Sequence, residues 1–181
     1  MSKLHKLGVI GNPIEHSMSP FIHSRFGRHE NISLEYLPYK INEPDFNKFV
    51  KEFFSDKYAK GLNVTLPYKK KASEISGDIS KEAKYINAVN TITNNKNKLS
   101  LASTDGVGFI DDINSKKFDL ENKKILIIGA GAASESVLYK VVKSKVNAIT
   151  ILNRTKEKSE KLKRKYSSIV PISIAVSYTH L

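Results

Sequence analysis

The chain of 181 residues contains no cysteine. It can therefore form no disulfide bond and offers no thiolate ligand to a metal, a pattern typical of a reducing compartment. No stretch approaches the about 20 apolar residues that a membrane-spanning helix needs. The N-terminal sequence MSKLHKLGVIGNP lacks the apolar segment of a signal peptide. We therefore expect a cytoplasmic chain with no metal site and no membrane partner.

The chain has fewer acidic than basic residues: it contains 18 Asp and Glu but 30 Lys and Arg, which gives a net charge of +12. Such an excess can mark a nucleic-acid-binding protein. The basic residues are spread along the chain, however, with no aromatic-interleaved basic stripe, no zinc-ligand spacing and no RNP-like motif. The sequence therefore predicts no nucleic-acid partner, and a non-enzymatic basic binding module is kept as an alternative.

Internal repeats are absent as well, and strand-like and helix-like segments alternate along the chain. Apolar runs predict strands at residues 7–10, 34–39, 62–66, 125–128, 148–152 and 169–176, and a hairpin formed by residues 86–93 and 99–103. Periodicity and capping residues predict helices that start at Ser19 and Pro67, that follow Asp105, and that span residues 44–54, 132–143 and 156–166. This alternation is typical of an α/β fold.

The segment NVTLPYKK, which starts at Asn63, combines an apolar face with a polar one. Successive side chains of a strand point to opposite faces. Leu62, Val64 and Leu66 are therefore expected to point into a core. Asn63 and Thr65 share the other face.

Pro67 cannot continue a central strand but suits the first turn of a helix. That helix would hold Lys69 in its opening turn, where a cation opposes the helix dipole by about 0.3–1 kcal/mol. A helix selected for stability alone would carry an acidic residue there. Lys69 is therefore a candidate functional residue, whereas Lys70 and Lys71 are expected to be solvated.

A glycine-rich loop, GAGAAS, lies between a predicted strand and a predicted helix, which is the context of a dinucleotide-binding fingerprint. The first glycine permits the tight turn, and the second lets the backbone approach a pyrophosphate at the helix N-terminus. Ser134 takes the third small position, where glycine or alanine is usual. A loop that merely turns tightly is the simpler alternative. The candidate cofactor-binding residues are Gly129, Ala130, Gly131, Ala132, Ala133 and Ser134.

The residues after the next strand bear on the choice of cofactor. Asn153 lies 22 residues after Gly131, near the place where NAD enzymes carry an acid for the ribose 2′-hydroxyl. No acid is present there, since Arg154 and Thr155 follow. A guanidinium can take a 2′-phosphate through charge-assisted bonds, and Lys158 adds charge from the next turn. The sequence favours NADP, with a solvated Arg154 as the alternative.

Three further strings carry candidate substrate-binding residues. SMSP places Ser17 and Ser19 at a predicted helix start that suits a carboxylate, although Ser19 alone is explained as an N-cap. AVNT places Asn90 inside a strand of the predicted hairpin. TDG places Asp105 before the next helix, where it can also serve as an N-cap.

In their order and spacing these strings, together with NVTLPYK and the glycine loop, resemble the shikimate dehydrogenase family from about Gly8 to Tyr166. The resemblance implies a reversible, NADPH-dependent reduction of 3-dehydroshikimate to shikimate, a step of chorismate and aromatic amino acid biosynthesis. Hydride would reach the carbonyl carbon while a lysine ammonium stabilises the developing alkoxide and donates the proton. The implied partner is a small-molecule substrate, and a homodimer is left open.

Residue by residue, the resemblance implies that Lys69 and Asp105 form the catalytic pair. It implies that Ser17 and Ser19 hold the carboxylate of shikimate. The residues implied to line the same pocket and bind the hydroxyl groups are Asn63, Thr65, Asn90 and Asp105, beside Lys69. The implied NADP site comprises the GAGAAS loop and Asn153, Arg154 and Thr155.

The resemblance divides the chain into a substrate-binding catalytic domain at residues 1–104, a connecting helix and linker at 105–122, and a Rossmann-type NADP-binding domain at 123–175. Only 59 residues follow Asn122, whereas such a domain commonly needs about 100–150. We therefore expect an α/β substrate domain with a mainly parallel sheet, followed by an incomplete, C-terminally truncated Rossmann-type domain. The family's returning helix and its pocket glutamine would be missing. Residues 176–181, VSYTHL, are interpreted as a non-native tail.

Two alternatives stand beside this interpretation. One is a sister enzyme of the same fold, such as a quinate/shikimate dehydrogenase or an NADP-linked folate dehydrogenase. The other is the basic binding module. A substrate panel with shikimate and quinate separates the enzymes, and salt-dependent DNA binding tests the binding module.

Overall fold

The structure is a computed structural model that describes residues 4–96 and 98–175. It divides into two compact units, a first unit of Met1–Ser103 and a second unit of Thr104–Leu181. Both units combine a sheet with helices that follow strands along the chain, which confirms the predicted α/β fold. The tail predicted at residues 176–181 lies outside the described residues.

The described part of the first unit has six strands, four α-helices and a 3-10 turn at Glu43–Asp45. In chain order the elements are β1 (His5–Gly11), α1 (Ser19–His29), β2 (Leu34–Lys40), α2 (Phe46–Ser55), β3 (Ala59–Val64), α3 (Lys69–Ala72), β4 (Asp78–Ile79), α4 (Lys81–Ile86), β5 (Thr91–Asn95) and β6 (Lys98–Ala102). They form one sheet of order β2-β1-β3-β5-β6-β4. β1 is parallel to β2 and β3, and β4 is parallel to β6, whereas β5 runs antiparallel to both of its neighbours.

Strand β3 separates its two faces as the alternation predicts, with one exception. Leu62 and Val64 are only 1% and 2% exposed and pack in one core with Ile10 of β1 and Phe46 of α2. The prediction that Leu66 joins this core is wrong, because Leu66 is 69% exposed. The strand ends at Val64, so the alternation of faces no longer applies at Leu66.

Two helix starts differ from the predictions. Helix α1 begins at Ser19 itself, with Met18 at the N-cap position, so the N-cap role predicted for Ser19 is wrong. The helix expected from Pro67 is the four-residue α3, which begins at Lys69. Lys69 still lies in an opening turn. Because so short a helix sums few peptide dipoles, the expected electrostatic cost at Lys69 is small.

The predicted hairpin is present but shorter than expected. The residues before it form α4, whose N-cap Ser80 accepts a hydrogen bond from the amide of Ala83 at 3.2 Å. Strand β5 begins only at Thr91, which pairs with Ala102 of β6. Asn90 therefore precedes the strand instead of lying inside it, which corrects the sequence prediction.

The described part of the second unit has three strands and three helices: α5 (Asp105–Ser115), β7 (Lys124–Ile128), α6 (Ala132–Val141), β8 (Ala148–Leu152), α7 (Lys156–Tyr166) and β9 (Ile172–Ala175). The strands form a parallel sheet of order β7-β8-β9, in which α6 and α7 are the crossover connections. Ile149 and Ile151 of the central strand are fully buried with Leu138 of α6 and Tyr166 of α7.

Strand β7 is covered less well than β8. Leu126 and Ile128 are 57% and 74% exposed. An apolar groove of about 500 Å³ lies beside this strand and is lined by residues of α5, β7 and α6. Parallel sheets normally have both faces covered. The exposed apolar surface agrees with the expectation of an incomplete Rossmann-type domain.

Helix α5 packs against α6 through a glycine, and this contact gives a stability prediction. The amide of Gly106 donates to Ser136 Oγ at 2.9 Å, and a Cβ on Gly106 would lie 2.1 Å from the carbonyl oxygen of Ser136. We expect Gly106→Ala to lower the free energy of unfolding by about 1–3 kcal/mol or more, because a backbone clash forces the helices apart. Urea denaturation measures the loss.

Gly108→Ala is the matched control in the same helix, because a Cβ there meets nothing within 4 Å. Alanine is the better helix former, so this change should leave stability unaltered or raise it by up to about 1 kcal/mol. Equal effects of the two substitutions would contradict the close packing of α5 on α6.

Candidate functional site

The loops after β1 and β3 build the polar edge of the first sheet. The two strands are parallel neighbours, so the chain leaves both at the same edge. The amide of Thr65 donates to the carbonyl of Ile10 at 2.9 Å, and the amide of Asn12 donates to that of Leu66 at 3.0 Å. These bonds hold the loop that follows β1 beside the segment that follows β3.

A cavity of about 300 Å³ lies between these loops and the start of α1. The predicted residues Ser17, Ser19 and Thr65 all line it. Ser17 Oγ accepts a hydrogen bond from the amide of Ser19 at 3.3 Å, at the first turn of an 11-residue helix. Hydroxyl and amide donors at a helix N-terminus suit an anionic group such as a carboxylate. The other lining residues are Val9, Pro13, Ile14 and His16.

The last residue of β1, Gly11, makes room for Thr65. A Cβ on Gly11 would lie 2.6 Å from Thr65 Cγ2, closer than side chains tolerate. A larger residue at this position would therefore force the Thr65 side chain to shift. The sequence analysis did not single out Gly11, although a glycine directly after a buried strand is a usual sign of close backbone approach.

Asn63 and Asn90 lie together on the same side of the sheet edge. The amide of Val64 donates to the carbonyl of Asn90 at 2.7 Å. Asn63 Nδ2 lies 3.5 Å from that carbonyl oxygen and 3.4 Å from Thr91 Oγ1. Thr91 Oγ1 donates in turn to Asn90 Oδ1 at 2.9 Å. The structure therefore joins the two predicted amides through backbone and side-chain contacts.

Lys69 is held next to this pair by its backbone. Its carbonyl accepts a hydrogen bond from the amide of Val89 at 2.8 Å, one residue before Asn90. The lysine is half-buried, whereas Lys70 is exposed, as predicted. Lys71, which was also predicted to be solvated, is half-buried and donates from Nζ to the carbonyl of Glu43 at 2.6 Å. The first unit thus gathers the predicted amides, hydroxyls and lysine at one edge of its sheet.

Asp105 lies in the second unit, as the first residue of α5, and is half-buried. Thr104 takes the N-cap position, so an N-cap role for Asp105 is wrong. Because Lys69 and Asp105 belong to different units, their pairing remains a prediction.

Tyr36 of β2 belongs to the polar cluster and was missed in the sequence. Its hydroxyl donates to Asn63 Oδ1 at 2.7 Å, and the residue is only 7% exposed. Burial raises the pKa of Tyr36 to about 12, against the opposing effect of hydrogen bonding with Ser19. The hydroxyl is therefore protonated, and a donor, at neutral pH. Only the alternation of β2 could have indicated this residue, since nothing in the sequence shows that strands 27 residues apart lie in one sheet.

The GAGAAS loop leaves the edge of the second sheet between β7 and α6. Gly129 has a φ of 110°, a conformation that favours glycine, and its amide donates to the carbonyl of Leu152 at 2.8 Å. Ile128 and Leu152 are paired in the parallel register. The loop after β7 and the residues after β8 therefore emerge side by side, as in a dinucleotide-binding fold.

The loop has the features that a pyrophosphate requires. Gly131 is exposed at the N-cap of α6, and a Cβ there meets nothing within 4 Å, so its backbone faces open space. Helix α6 has ten residues, enough for its N-terminal amides to attract an anion. The acidic Glu135 of its first turn pairs with Lys165 Nζ at 2.6 Å, which offsets a charge that would otherwise repel an anion.

The residues after β8 carry the predicted basic group. Asn153 Nδ2 donates to the carbonyl of Thr155 at 2.7 Å, which fixes the turn into α7. Arg154 lies within this turn and is exposed, as is Lys158 in the first turn of α7. Both cations are accessible at the edge where the glycine loop emerges.

Across 4–96 and 98–175, no group of three or more His, Asp or Glu residues is placed to hold a metal ion. None of the described helices has the length and apolar character needed to cross a membrane.

Two family models match the sequence. The shikimate dehydrogenase substrate binding domain matches residues 9–92, and the shikimate/quinate 5-dehydrogenase family matches residues 112–178. Shikimate dehydrogenase (NADP(+)) of Legionella pneumophila strain Corby is 39% identical over 172 residues, which cover 95% of this chain and 64% of that protein.

Solved structures show the same relationship. Shikimate dehydrogenase from Aquifex aeolicus is 34% identical, with a TM-score of 0.86 over 97% of this chain and 64% of that one. Shikimate 5-dehydrogenase from Listeria monocytogenes, solved in complex with shikimate and NAD, is 26% identical, with a TM-score of 0.85 over 98% and 62%. The present chain spans less than two thirds of the length of these proteins. Its matches in sequence and fold extend over both units, and the chain belongs to the shikimate dehydrogenase family.

Proposed function

We propose that this chain is the larger part of an NADP-dependent shikimate dehydrogenase, which reversibly reduces 3-dehydroshikimate to shikimate. The observation that carries the proposal is the cluster at one edge of the first sheet. There Ser17, Ser19 and Thr65 line a cavity, and Asn63 and Asn90 are bonded together beside Lys69. A carboxylate, several hydroxyls and a reacting carbonyl are the groups that such a set of donors recognises.

The first unit would bind the substrate. The hydroxyls of Ser17 and Ser19, at the N-terminus of α1, suit the carboxylate of shikimate. Thr65, Asn63 and Asn90 offer a hydroxyl and two amides to the ring hydroxyls. Val9 and Ile14 supply apolar walls for the carbocyclic ring.

Lys69 would act as the proton donor and acceptor at the reacting oxygen. When bound, NADPH supplies the hydride that reduces the carbonyl carbon. The ammonium of Lys69 would stabilise the negative charge that develops on the carbonyl oxygen and would donate a proton to it. In the oxidative direction the neutral amine would take the hydroxyl proton. We assign Asp105 as the carboxylate that works with this lysine, by the family resemblance.

The second unit would hold the cofactor. The amides of the GAGAAS loop and of the first turn of α6 suit the pyrophosphate. Asn153, Arg154 and Thr155, together with Lys158, suit the adenosine end. The name of the Legionella relative specifies NADP(+), whereas the Listeria structure contains NAD. The exposed guanidinium of Arg154, in a turn whose residues 153–155 include no acid, favours the 2′-phosphate of NADP.

In the cell, this activity would serve chorismate and aromatic amino acid biosynthesis in the cytoplasm. The substrate-binding role falls to residues 1–104, the connection to 105–122 and the NADP-binding role to 123–175. A homodimer is compatible with this proposal, and sedimentation of the complete gene product would decide it.

The role of Lys69 is tested by Lys69→Ala in the complete gene product that carries this sequence. Loss of the group that takes the hydroxyl proton in the oxidative direction should lower kcat by about 10²–10⁴ and change the KM for shikimate far less. Initial rates of shikimate-dependent NADPH formation measure both constants.

Lys70→Ala is the matched control, since Lys70 is the exposed neighbour in the same helix. It should turn over at close to the wild-type rate. Near-native kcat in the Lys69 variant would remove this lysine from the chemistry. If the unaltered enzyme oxidises quinate in preference to shikimate, the sister-enzyme assignment is correct instead.

Cofactor choice is tested by Arg154→Ala. Loss of a charged hydrogen bond should weaken NADP binding by about 1.5–3 kcal/mol and leave NAD binding nearly unchanged. Calorimetric titration with each cofactor measures the two affinities. Arg164→Ala, an exposed arginine in the last turn of α7, is the control for a general change of charge. Equal losses for both cofactors would show that Arg154 supports the fold and does not select the phosphate.

A further inference from the structure

Tyr36 connects three elements of the first unit at the proposed substrate site. It lies on β2, its hydroxyl bonds to Asn63 of β3, and its ring stacks on His23 of α1. The two rings are 4.2 Å apart between centroids and nearly parallel, at 6°. β1 separates β2 from β3 in the sheet, so the tyrosine side chain reaches across a whole strand.

The hydrogen bond to Tyr36 determines which way the Asn63 amide points. A carboxamide has one oxygen and one nitrogen that exchange places when it turns over. Tyr36 presents a proton to Asn63 Oδ1 at 2.7 Å, and Nδ2 is thereby directed towards Asn90 O and Thr91 Oγ1. Those two contacts are long, at 3.5 and 3.4 Å, so the short bond from Tyr36 is the stronger restraint.

The surroundings of Tyr36 keep its hydroxyl in place. The residue is 7% exposed and packs in one cluster with Val9 and Ile14, which also line the cavity of Ser17 and Ser19. His23 covers the other side of the ring, and burial lowers the pKa of His23, so this neighbour is neutral at neutral pH. This packing restrains the Tyr36 ring, and with it the position of the hydroxyl group.

We propose that Tyr36 is a positioning residue for shikimate binding, which acts by fixing the orientation of the Asn63 carboxamide. The proposal rests on the proposed function for the identity of the ligand. Its structural part, the restraint of Asn63 by Tyr36, can be tested without the ligand.

Kinetics of the complete gene product test the effect on binding. Tyr36→Phe keeps the ring and its stacking but removes the proton donor. We expect the KM for shikimate to rise about 5–20-fold, with kcat within about twofold of wild type, because the proton transfer at Lys69 is unaffected. In an Asn63→Ala background, the same substitution should raise KM less than it does in the unaltered enzyme, since the part of the effect that acts through Asn63 is then absent and only the hydrogen bond with Ser19 is lost. Additive effects in the two backgrounds, or an unchanged KM in the single variant, would overturn the proposal.

Tyr39→Phe is the matched control on the same strand. Tyr39 lies three residues along β2, on the opposite face, where its ring packs against Phe49 and Phe53. Removal of its hydroxyl should leave KM and kcat unchanged. Equal rises in KM for the Tyr36 and Tyr39 variants would show a general effect on the sheet and refute a specific role for Tyr36.

Nuclear magnetic resonance of the 181-residue chain without ligand separates this proposal from the proposed function. Tyr36→Phe should shift or broaden the side-chain amide resonances of Asn63, whereas Tyr39→Phe should leave them unchanged. If these resonances do not respond to loss of the Tyr36 hydroxyl, the positioning role is wrong, whatever the substrate. If they respond while the complete protein does not oxidise shikimate, the restraint stands and the proposed function fails.

Discussion

Two backbone hydrogen bonds, Thr65 N to Ile10 O and Asn12 N to Leu66 O, are the constraint on which the proposed substrate site depends. They tie the loop after β1 to the segment after β3, although more than 50 residues separate these loops along the chain. That connection places Thr65 at the cavity that Ser17 and Ser19 also line. The close approach is allowed by the missing side chain of Gly11, which makes this glycine part of the site without any chemistry of its own.

The fold could be predicted well where one short-range pattern decides the structure. The alternation in β3, the periodicity of α2 and the bounds of β8 and α7 follow from the spacing of apolar residues. The errors occurred where patterns end. Leu66 continues the alternation in sequence but lies beyond the strand, and Ile86, which was predicted to begin the hairpin, is the last residue of α4. Local signals mark such ends poorly, because tertiary hydrogen bonds decide where a strand stops.

The residues of the candidate site likewise divide into those that a local sequence pattern indicates and those that only tertiary contacts reveal. Ser17, Ser19, Asn63, Thr65, Lys69 and Asn90 stand in recognisable strings, and the structure places them along one sheet edge. Tyr36 belongs to no such sequence motif. Its importance comes from the strand order β2-β1-β3, which sets it two strands away from Asn63 on the same face, and the sequence of one chain does not reveal that order. Gly11 is similar, since its role appears only when Thr65 is seen beside it.

In the second unit, by contrast, the candidate site depends mainly on elements that are adjacent in the sequence. Its glycine loop is positioned by its own strand and helix, so the strand–loop–helix pattern predicted it from local sequence. The pairing of Glu135 with Lys165 could not be predicted, because the two residues lie on different helices and are 30 residues apart. This pair removes an unfavourable charge from the helix start that would face the pyrophosphate. A local motif can therefore predict a glycine loop at a helix start, while the electrostatic setting of that loop depends on the packed unit.

The linked loops after β1 and β3 form the proposed substrate site. A titration of the isotopically labelled chain with shikimate, followed by the backbone amide resonances, tests this assignment and also detects weak binding. We expect the largest shifts at Ser17, Ser19, Asn63 and Thr65, around the cavity of about 300 Å³. The first unit offers a competing cavity of about 620 Å³, lined by residues that include Phe54, Ile75 and Asn94. Shifts centred on that larger cavity, with none at the linked loops, would show that shikimate does not bind at the proposed site.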